Sequence, residues 1–213
     1  MIPVKGTAEG KSRLAPELDA TARRRLAEAF SLDALAAVRG ARSVGRVIVV
    51  TDAATPFAER LRHSGADVVP DPGRGLNPAV LAGLVHAGPA GTSRIAVLLG
   101  DLPCLTSEDL DAALETAAAH PLAVVPDAEG TGTTLLTALP GHPLVPRFGQ
   151  GSAERHRSAG HEVLPVAGDS TVRRDVDTAA DLLAARALGL GPLSALAAAE
   201  LDPAAKPDPE PAA

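Results

Sequence analysis

Apolar positions along the chain fall into two alternating rhythms. Short, mostly apolar runs at 2–4, 44–50, 66–69, 95–100 and 122–126 have the length and the Val, Ile and Leu content of strands, and the uncharged run at 95–100 reads as one buried on both faces of a sheet. The segments between them repeat at helical spacing. Over 17–40, Leu18, Ala22, Leu26, Ala29, Phe30, Leu32, Leu35 and Val38 predict a helix that ends with Gly40 as its C-cap. Helices are also predicted over 57–63, over 76–86 with Asn77 as N-cap and Pro78 at the first position, and through 119 from a cap at Thr106 or Ser107. Ile2-Pro3-Val4 closes a first strand that lacks most of the usual length of about five or six residues, so either the edge is short or the sequence starts late in the strand. Strand and helix alternate over the first 125 residues. That order implies an α/β fold: a mostly parallel, doubly wound (Rossmann-like) sheet with helices on both faces.

Beyond residue 126 the rhythm loosens. The turn Gly130-Thr131-Gly132-Thr133-Thr134 leads into a strand over 135–139. A second turn, Arg147-Phe148-Gly149-Gln150-Gly151-Ser152, opens a short helix with Ser152 as its cap. A late strand over 161–166 and a helix over 179–188 ending at Gly189 follow, and the apolar stretch 190–201 reads as a helix docked on the domain or on a partner subunit, as in a homodimer. Residues 1–199 form one domain on this reading, and the Pro- and Ala-rich segment 200–213 is a disordered tail.

Composition narrows the function classes. The 213 residues are 46% hydrophobic but only 1% aromatic, with no Trp or Tyr, so Ala, Leu and Val must build the core. Platforms on which single-stranded nucleic acid stacks are missing, and a net charge of -6 provides no basic stripe for a duplex. Nucleic acid is therefore not an expected partner. Cys104 stands alone and forms no internal disulfide, no apolar run reaches the roughly 18 residues needed to cross a bilayer, and no signal-peptide pattern is present. The expectation is a cytoplasmic protein without a membrane partner.

Three features could carry chemistry. The uncharged run at 95–100 delivers Asp101 at its carboxyl end, where open α/β sheets bind ligands. The loop after the first strand holds Lys5, Gly6, Gly10, Lys11, Ser12 and Arg13, either a phosphate cradle or a solvated basic loop. Its G-x-x-x-G-K-S is one residue short of a Walker A loop. In an extended Asp175-Val176-Asp177 both carboxylates face one side, which suits a cation between them. Alternatively, Asp177 caps the following helix and Asp175 pairs with Arg173 or Arg174. The Gly-Thr-Gly turn precedes a strand and no helix, so it is no dinucleotide fingerprint. His156 reads equally as a packing imidazole or a phosphate contact.

Taken in order, Ile2-Pro3-Val4-Lys5, Lys11-Ser12-Arg13-Leu14, Leu76-Asn77, Gly100-Asp101-Leu102-Pro103, Gly130-Thr131-Gly132-Thr133, Arg147-Phe148-Gly149, Ser152, Arg155-His156 and Asp175-Val176-Asp177-Thr178 resemble the guanylyltransferases of coenzyme F-420 biosynthesis. These are molybdopterin-guanylyltransferase-like nucleotidyltransferases with a GT-A-like fold. The resemblance implies transfer of GMP from GTP to phosphoenolpyruvate, with 2-phospho-L-lactate or 3-phosphoglycerate as alternative acceptors, and a product passed to a downstream transferase. It also implies that Asp101, Asp175 and Asp177 carry two magnesium ions and that Thr133, Gly149 and Ser152 bind phosphoenolpyruvate. Lys5, Lys11 and Arg13 would meet the GTP phosphates, with Lys11 catalytic beside the aspartates, and Asn77 would lie near the base or ribose. A regulatory subunit that binds nucleotide without turnover is the reading from a different class; the presence of all three aspartates argues against it.

Overall fold

The computed structural model describes residues 1–4, 18–88 and 92–201. Its strands are β1 (Ile2–Pro3), β2 (Ile48–Thr51), β3 (Asp67–Pro70), β4 (Ile95–Leu98), β5 (Leu122–Pro126), β6 (Thr133–Ala138) and β7 (Glu162–Val163). The helices are α1 (Ala20–Gly40), α2 (Pro56–His63), α3 (Leu76–Ala87), α4 (Ser107–Ala117), α5 (Ser152–Ser158), α6 (Ala179–Leu188) and α7 (Pro192–Ala199). β1, β2 and β3 pair in parallel, while β6 runs antiparallel to both β4 and β5, and β7 is parallel to β5.

Hydrogen bonds at the amino terminus join these two groups of strands. The Met1 amine donates to the Ala96 carbonyl at 2.7 Å and the Leu98 N–H donates to the Met1 carbonyl at 3.0 Å. One residue that bonds to two neighbours flanking a single position is the parallel ladder pattern. The strand order is therefore β3-β2-β1-β4-β6-β5-β7, with β6 alone reversed. The first strand, expected at an edge, lies inside the sheet.

Side-chain alternation sends the two faces of the sheet to different helices. Ile2, Val49, Leu98, Ala123, Val125 and Leu135 pack with Leu32 and Leu35 of α1, Phe57 and Leu61 of α2, and Leu110 and Ala113 of α4. On the opposite face Val97, Val124 and Leu136 meet Val80 of α3 together with Leu144 and Phe148, and Ile48, Val50 and Val69 meet Ala79. Each fully buried Leu or Val contributes about 1.5–3 kcal/mol, so a core almost without aromatics is assembled from many small terms.

Several boundaries differ from those the sequence predicts. α1 continues through Gly40, which lies against Ser107 of α4, and the cap is Ala41. Gly75 precedes α3, so Asn77 is helical and is not its N-cap. Gly151 caps α5 and Ser152 is its first residue. The strand expected over 44–50 starts at Ile48, and the late strand shrinks to Glu162–Val163. By contrast, Thr106 caps α4 and α6 spans 179–188 ahead of Gly189, as the pattern implies.

The apolar stretch after 190 folds back on its own domain. α7 lies along α1, and the buried carboxylate of Asp33 in α1 accepts from the N–H groups of Leu193 at 3.2 Å and Ser194 at 2.7 Å. An acidic residue on one helix thereby caps the amino end of another. No helix among the described residues is long and apolar enough to cross a membrane. The tail expected at 200–213 lies, from residue 202, outside the described residues. Replacing Asp33 with Ala leaves both α7 amides without that acceptor and should cost about 1–2 kcal/mol. A lower urea midpoint and faster hydrogen exchange at the Leu193 and Ser194 amides are the expected readings; unchanged exchange there would contradict the capping role.

Candidate active site

The carboxyl edge of the sheet gathers the acidic residues. β4 ends at Leu98, and the chain passes through Leu99 and Gly100 to a half-buried Asp101. The Ser31 hydroxyl of α1 donates to the Gly100 carbonyl at 3.2 Å, which anchors that exit. The Asp101 carbonyl in turn accepts from the Val176 N–H at 3.1 Å. Val176 is fully buried beside Leu26, Phe30 and Cys104. Asp175 and Asp177, both half-buried, are thus carried alongside Asp101 by the apolar residue between them. Downstream, Thr178 caps α6 in a capping box with Asp181, and the Asp177 N–H also donates to the Asp181 carboxylate at 3.1 Å. Asp177 is therefore not the helix cap.

The threonine turn reaches the same edge from β6. Leu98 pairs with Leu135, and the Leu99 N–H donates to the Thr134 carbonyl at 3.0 Å. Continuing that register puts Thr133 opposite Gly100, one residue from Asp101. Asp127 shapes the turn: its carboxylate accepts from the N–H groups of Thr131 at 2.9 Å and Gly132 at 2.7 Å. The Arg173 guanidinium donates to the Asp127 carbonyl at 2.8 Å, which ties this turn to the segment leading into Asp175.

A third turn, 147–151, is held from behind by side chains. Asn77 donates to the Phe148 carbonyl at 3.2 Å and accepts from the Phe148 N–H at 2.8 Å. Arg155 donates to the Arg147 carbonyl at 3.1 Å and to the Gln150 carbonyl. Gly149 and Gly151 have φ of 119° and 69°, left-handed conformations that a side chain would strain. His156, fully buried, accepts from the Arg147 N–H through Nε2 at 2.9 Å, while its Nδ1 lies 3.0 Å from the Thr133 hydroxyl. The Phe148 ring meets the imidazole edge-on, with centroids 5.2 Å apart.

Of the residues singled out from sequence, Asp101, Asp175, Asp177, Thr133, Gly149 and Ser152 occupy this one edge and its flanking turns. Asn77 reaches it through the backbone of Phe148. Lys5, Lys11 and Arg13 lie outside the described residues; Val4, the last described residue before them, packs against Gly100. Among the described residues no group of three or more His, Cys, Asp or Glu side chains is placed to hold a metal ion. Magnesium does not require one, since it is typically held by one or two carboxylates together with substrate phosphates. The all-oxygen donors here fit that mode. Sequence reasoning missed Asp127 and left His156 open. Asp127 stands three residues before Gly130, a turn signature that was available; the burial of His156 has no local signal.

The residues 22–159 match the family model of the MobA-like NTP transferase domain. The chain is 46% identical to a phosphoenolpyruvate guanylyltransferase of Streptomyces scabiei, covering 94% of this chain and 95% of that protein. It is 44% identical to one of Sanguibacter keddieii, covering 90% of this chain and 81% of that protein. The chain belongs to the phosphoenolpyruvate guanylyltransferase family of MobA-like NTP transferases. It is a nucleotidyltransferase. At the level of fold it is similar to a putative nucleotide-diphospho-sugar transferase from Desulfovibrio desulfuricans, with a TM-score of 0.60, 19% identity and 76% of each chain covered. A nucleotidyl transferase from Methanothermobacter matches with a TM-score of 0.56 and 19% identity over 87% of this chain and 95% of that one.

In this guanylyltransferase, burial lowers the His156 imidazole to about 4, reinforced by the His161 ring and the Arg155 and Arg147 charges. Burial lowers His161 as well. A histidine whose folded pKa lies below its unfolded value of about 6.5 contributes fully above that value and loses the contribution as pH falls toward the folded pKa. The window is therefore about 6.5 down to 4. Asp111, held at about 2 chiefly by the N–H groups of Arg42 and Ser43, loses its contribution only at more acid pH. Urea midpoints should fall as pH is lowered across the histidine window, by up to about 3 kcal/mol from His156, and His156→Phe should reduce the fall. A flat profile in the unsubstituted protein would contradict a neutral buried imidazole. Separately, a Cβ on Gly132 would lie 2.2 Å from the Asp127 carboxylate. Gly132→Ala should displace that carboxylate from its two amides and destabilise by about 1–3 kcal/mol in thermal or urea unfolding; an unchanged midpoint would show that Asp127 does not hold the turn.

Proposed function

We propose that this chain transfers GMP from GTP to phosphoenolpyruvate, releasing pyrophosphate and forming enolpyruvoyl-2-diphospho-5′-guanosine, a step of coenzyme F-420 biosynthesis. The observation that supports the transfer chemistry is the Val176–Asp101 backbone hydrogen bond, which holds the segment carrying Asp175 and Asp177 beside Asp101 at the sheet edge. The acceptor is that named in the relatives.

The attacking atom is a phosphate oxygen of phosphoenolpyruvate, already anionic at neutral pH, so no side chain has to remove a proton from it. It attacks the α-phosphorus of GTP in line, a new P–O–P bond forms, and the bond to the β-phosphate oxygen breaks as pyrophosphate leaves. The obstacle is repulsion between two polyanions. Asp101, Asp175 and Asp177 would hold magnesium, which neutralises charge on the phosphates when bound. Lys5, Lys11 and Arg13 would take the remaining GTP phosphate charge, with Lys11 at the reacting centre. Thr133, Gly149 and Ser152 would contact the acceptor, and Asn77 supports that contact by fixing the Phe148 backbone. The diphosphate product then serves a downstream transferase.

Pyrophosphate release, measured with magnesium and each nucleotide–acceptor pair, tests the reading. Release is expected with GTP and phosphoenolpyruvate and should be much slower with ATP, 2-phospho-L-lactate or 3-phosphoglycerate. Faster release with another acceptor would replace phosphoenolpyruvate. Asp101→Asn and Asp177→Asn should each lower kcat by about two orders of magnitude or more with unfolding midpoints retained. Near-normal turnover of either variant at saturating magnesium would remove the metal-holding role.

A further inference from the structure

His156 joins two of the turns around the acceptor and leaves no freedom in where its proton lies. The Arg147 backbone N–H can only donate, and it points at Nε2 from 2.9 Å, so Nε2 carries a lone pair. A neutral imidazole then has its single N–H on Nδ1, 3.0 Å from the Thr133 hydroxyl oxygen. Thr133 is therefore the acceptor in that bond. A hydroxyl has one hydrogen and two lone pairs. With one lone pair taken by His156, the hydrogen of Thr133 is left for a ligand.

We propose that His156 is a positioning residue for the acceptor: by holding the Nδ1–H tautomer it makes the Thr133 hydroxyl a donor to the anionic acceptor and fixes the Arg147–Gly149 turn on the other side of the ring. The inference rests on the reading of Thr133 as an acceptor contact. Its chemical logic is complementarity. The carboxylate and phosphate oxygens of phosphoenolpyruvate only accept hydrogen bonds near neutral pH, so a hydroxyl that presents its hydrogen matches them. The opposite tautomer would take that hydrogen for the ring and set an Nε2–H against the Arg147 N–H. A doubly protonated ring would still satisfy Thr133 but would expel the Arg147 turn.

The surroundings hold the neutral ring in place. The His161 N–H and its ring Nδ1 both bond the His156 carbonyl, each at 3.1 Å, and the two imidazoles meet edge-on with centroids 5.4 Å apart. Phe148 closes the ring from another side. Between Thr133 and Arg147, a single rigid side chain must offer a donor at one end and an acceptor at the other. Neutral histidine does so, and Phe keeps the packing while losing both bonds.

Steady-state kinetics with GTP and phosphoenolpyruvate varied separately, on His156→Phe, His156→Asn, Thr133→Val and the double variant His156→Phe/Thr133→Val, provides the test. His156→Phe should raise the KM for phosphoenolpyruvate about tenfold or more with the KM for GTP held within about twofold. His156→Asn, whose short amide keeps a donor toward Thr133, should recover part of that loss. The double variant should lose less than the sum of the two single losses, because both substitutions remove the same oriented hydrogen bond while only His156→Phe also frees the Arg147 turn. Additive losses, or equal rises in both KM values, would overturn the proposal. An unchanged acceptor KM in Thr133→Val removes the acceptor reading of Thr133 and this inference with it; a raised KM there beside an unaffected His156→Phe removes the inference alone. Nitrogen-15 NMR of the unsubstituted protein at neutral pH gives a readout that no unfolded variant can obscure. Protonated Nδ1 with unprotonated Nε2 is expected for His156, and the reverse tautomer or a doubly protonated ring overturns it.

Discussion

The N–H of Val176 and the carbonyl of Asp101 meet at 3.1 Å, and much of the edge depends on that contact. A backbone hydrogen bond of this kind is worth only about 1 kcal/mol net. Here it is sheltered by the burial of Val176 among Leu26, Phe30 and Cys104, which adds about 1.5–3 kcal/mol. On one side the segment is held by Thr171, whose N–H and hydroxyl both donate to the Asp109 carboxylate of α4. On the other it is held by the Thr178–Asp181 capping box of α6. The segment carrying Asp175 and Asp177 is held beside Asp101 by apolar burial and by caps made with other carboxylates.

The reversed strand β6 completes the geometry. In an all-parallel sheet, Thr133 would have to enter from the opposite edge or through a long crossover. Running antiparallel between β4 and β5, β6 starts where β4 ends, so its first residue lands beside Asp101. All six of its residues are buried, which is why its pattern offers no clue to direction. The alternation of short apolar runs with helical spacing was legible over 1–126 because it depends on local periodicity. The reversal depends on pairing with residues far along the chain.

The same division separates the legible and illegible parts of the site. Asp101 could be found because an uncharged apolar run ends just before it, and Asp175 with Asp177 because a period of two places an apolar residue between two acids. Their adjacency follows from one long-range hydrogen bond that neither segment encodes alone. Asn77 looked like a helix cap because Pro78 follows it, yet its amide reaches the Phe148 backbone and Gly75 precedes the helix. His156 sits among Glu154, Arg155 and Arg157 on a strongly charged helix, where composition suggests solvent. Helical geometry turns it, together with Ser152 and Ala153, toward the core, between Phe148 and His161.

What the turns share is that polar side chains act on backbone. Asp127 orders the amides of Thr131 and Gly132, Arg155 holds the carbonyls of Arg147 and Gln150, Asn77 grips Phe148, and His156 holds the Arg147 amide. A chain with almost no aromatic residues lacks the large rigid groups that usually wall a cavity, and a core of Ala, Leu and Val packs densely without shaping loops. Bonds from side chain to backbone provide the stiffness instead. They are directional, and they tolerate the positive φ of Gly149 and Gly151. Since two polyanions must meet here, donors fixed in advance avoid reorganisation during the reaction. The cost is sensitivity to protonation: the same neutral imidazole that holds the Arg147 amide is the group whose charging in acid would undo that bond.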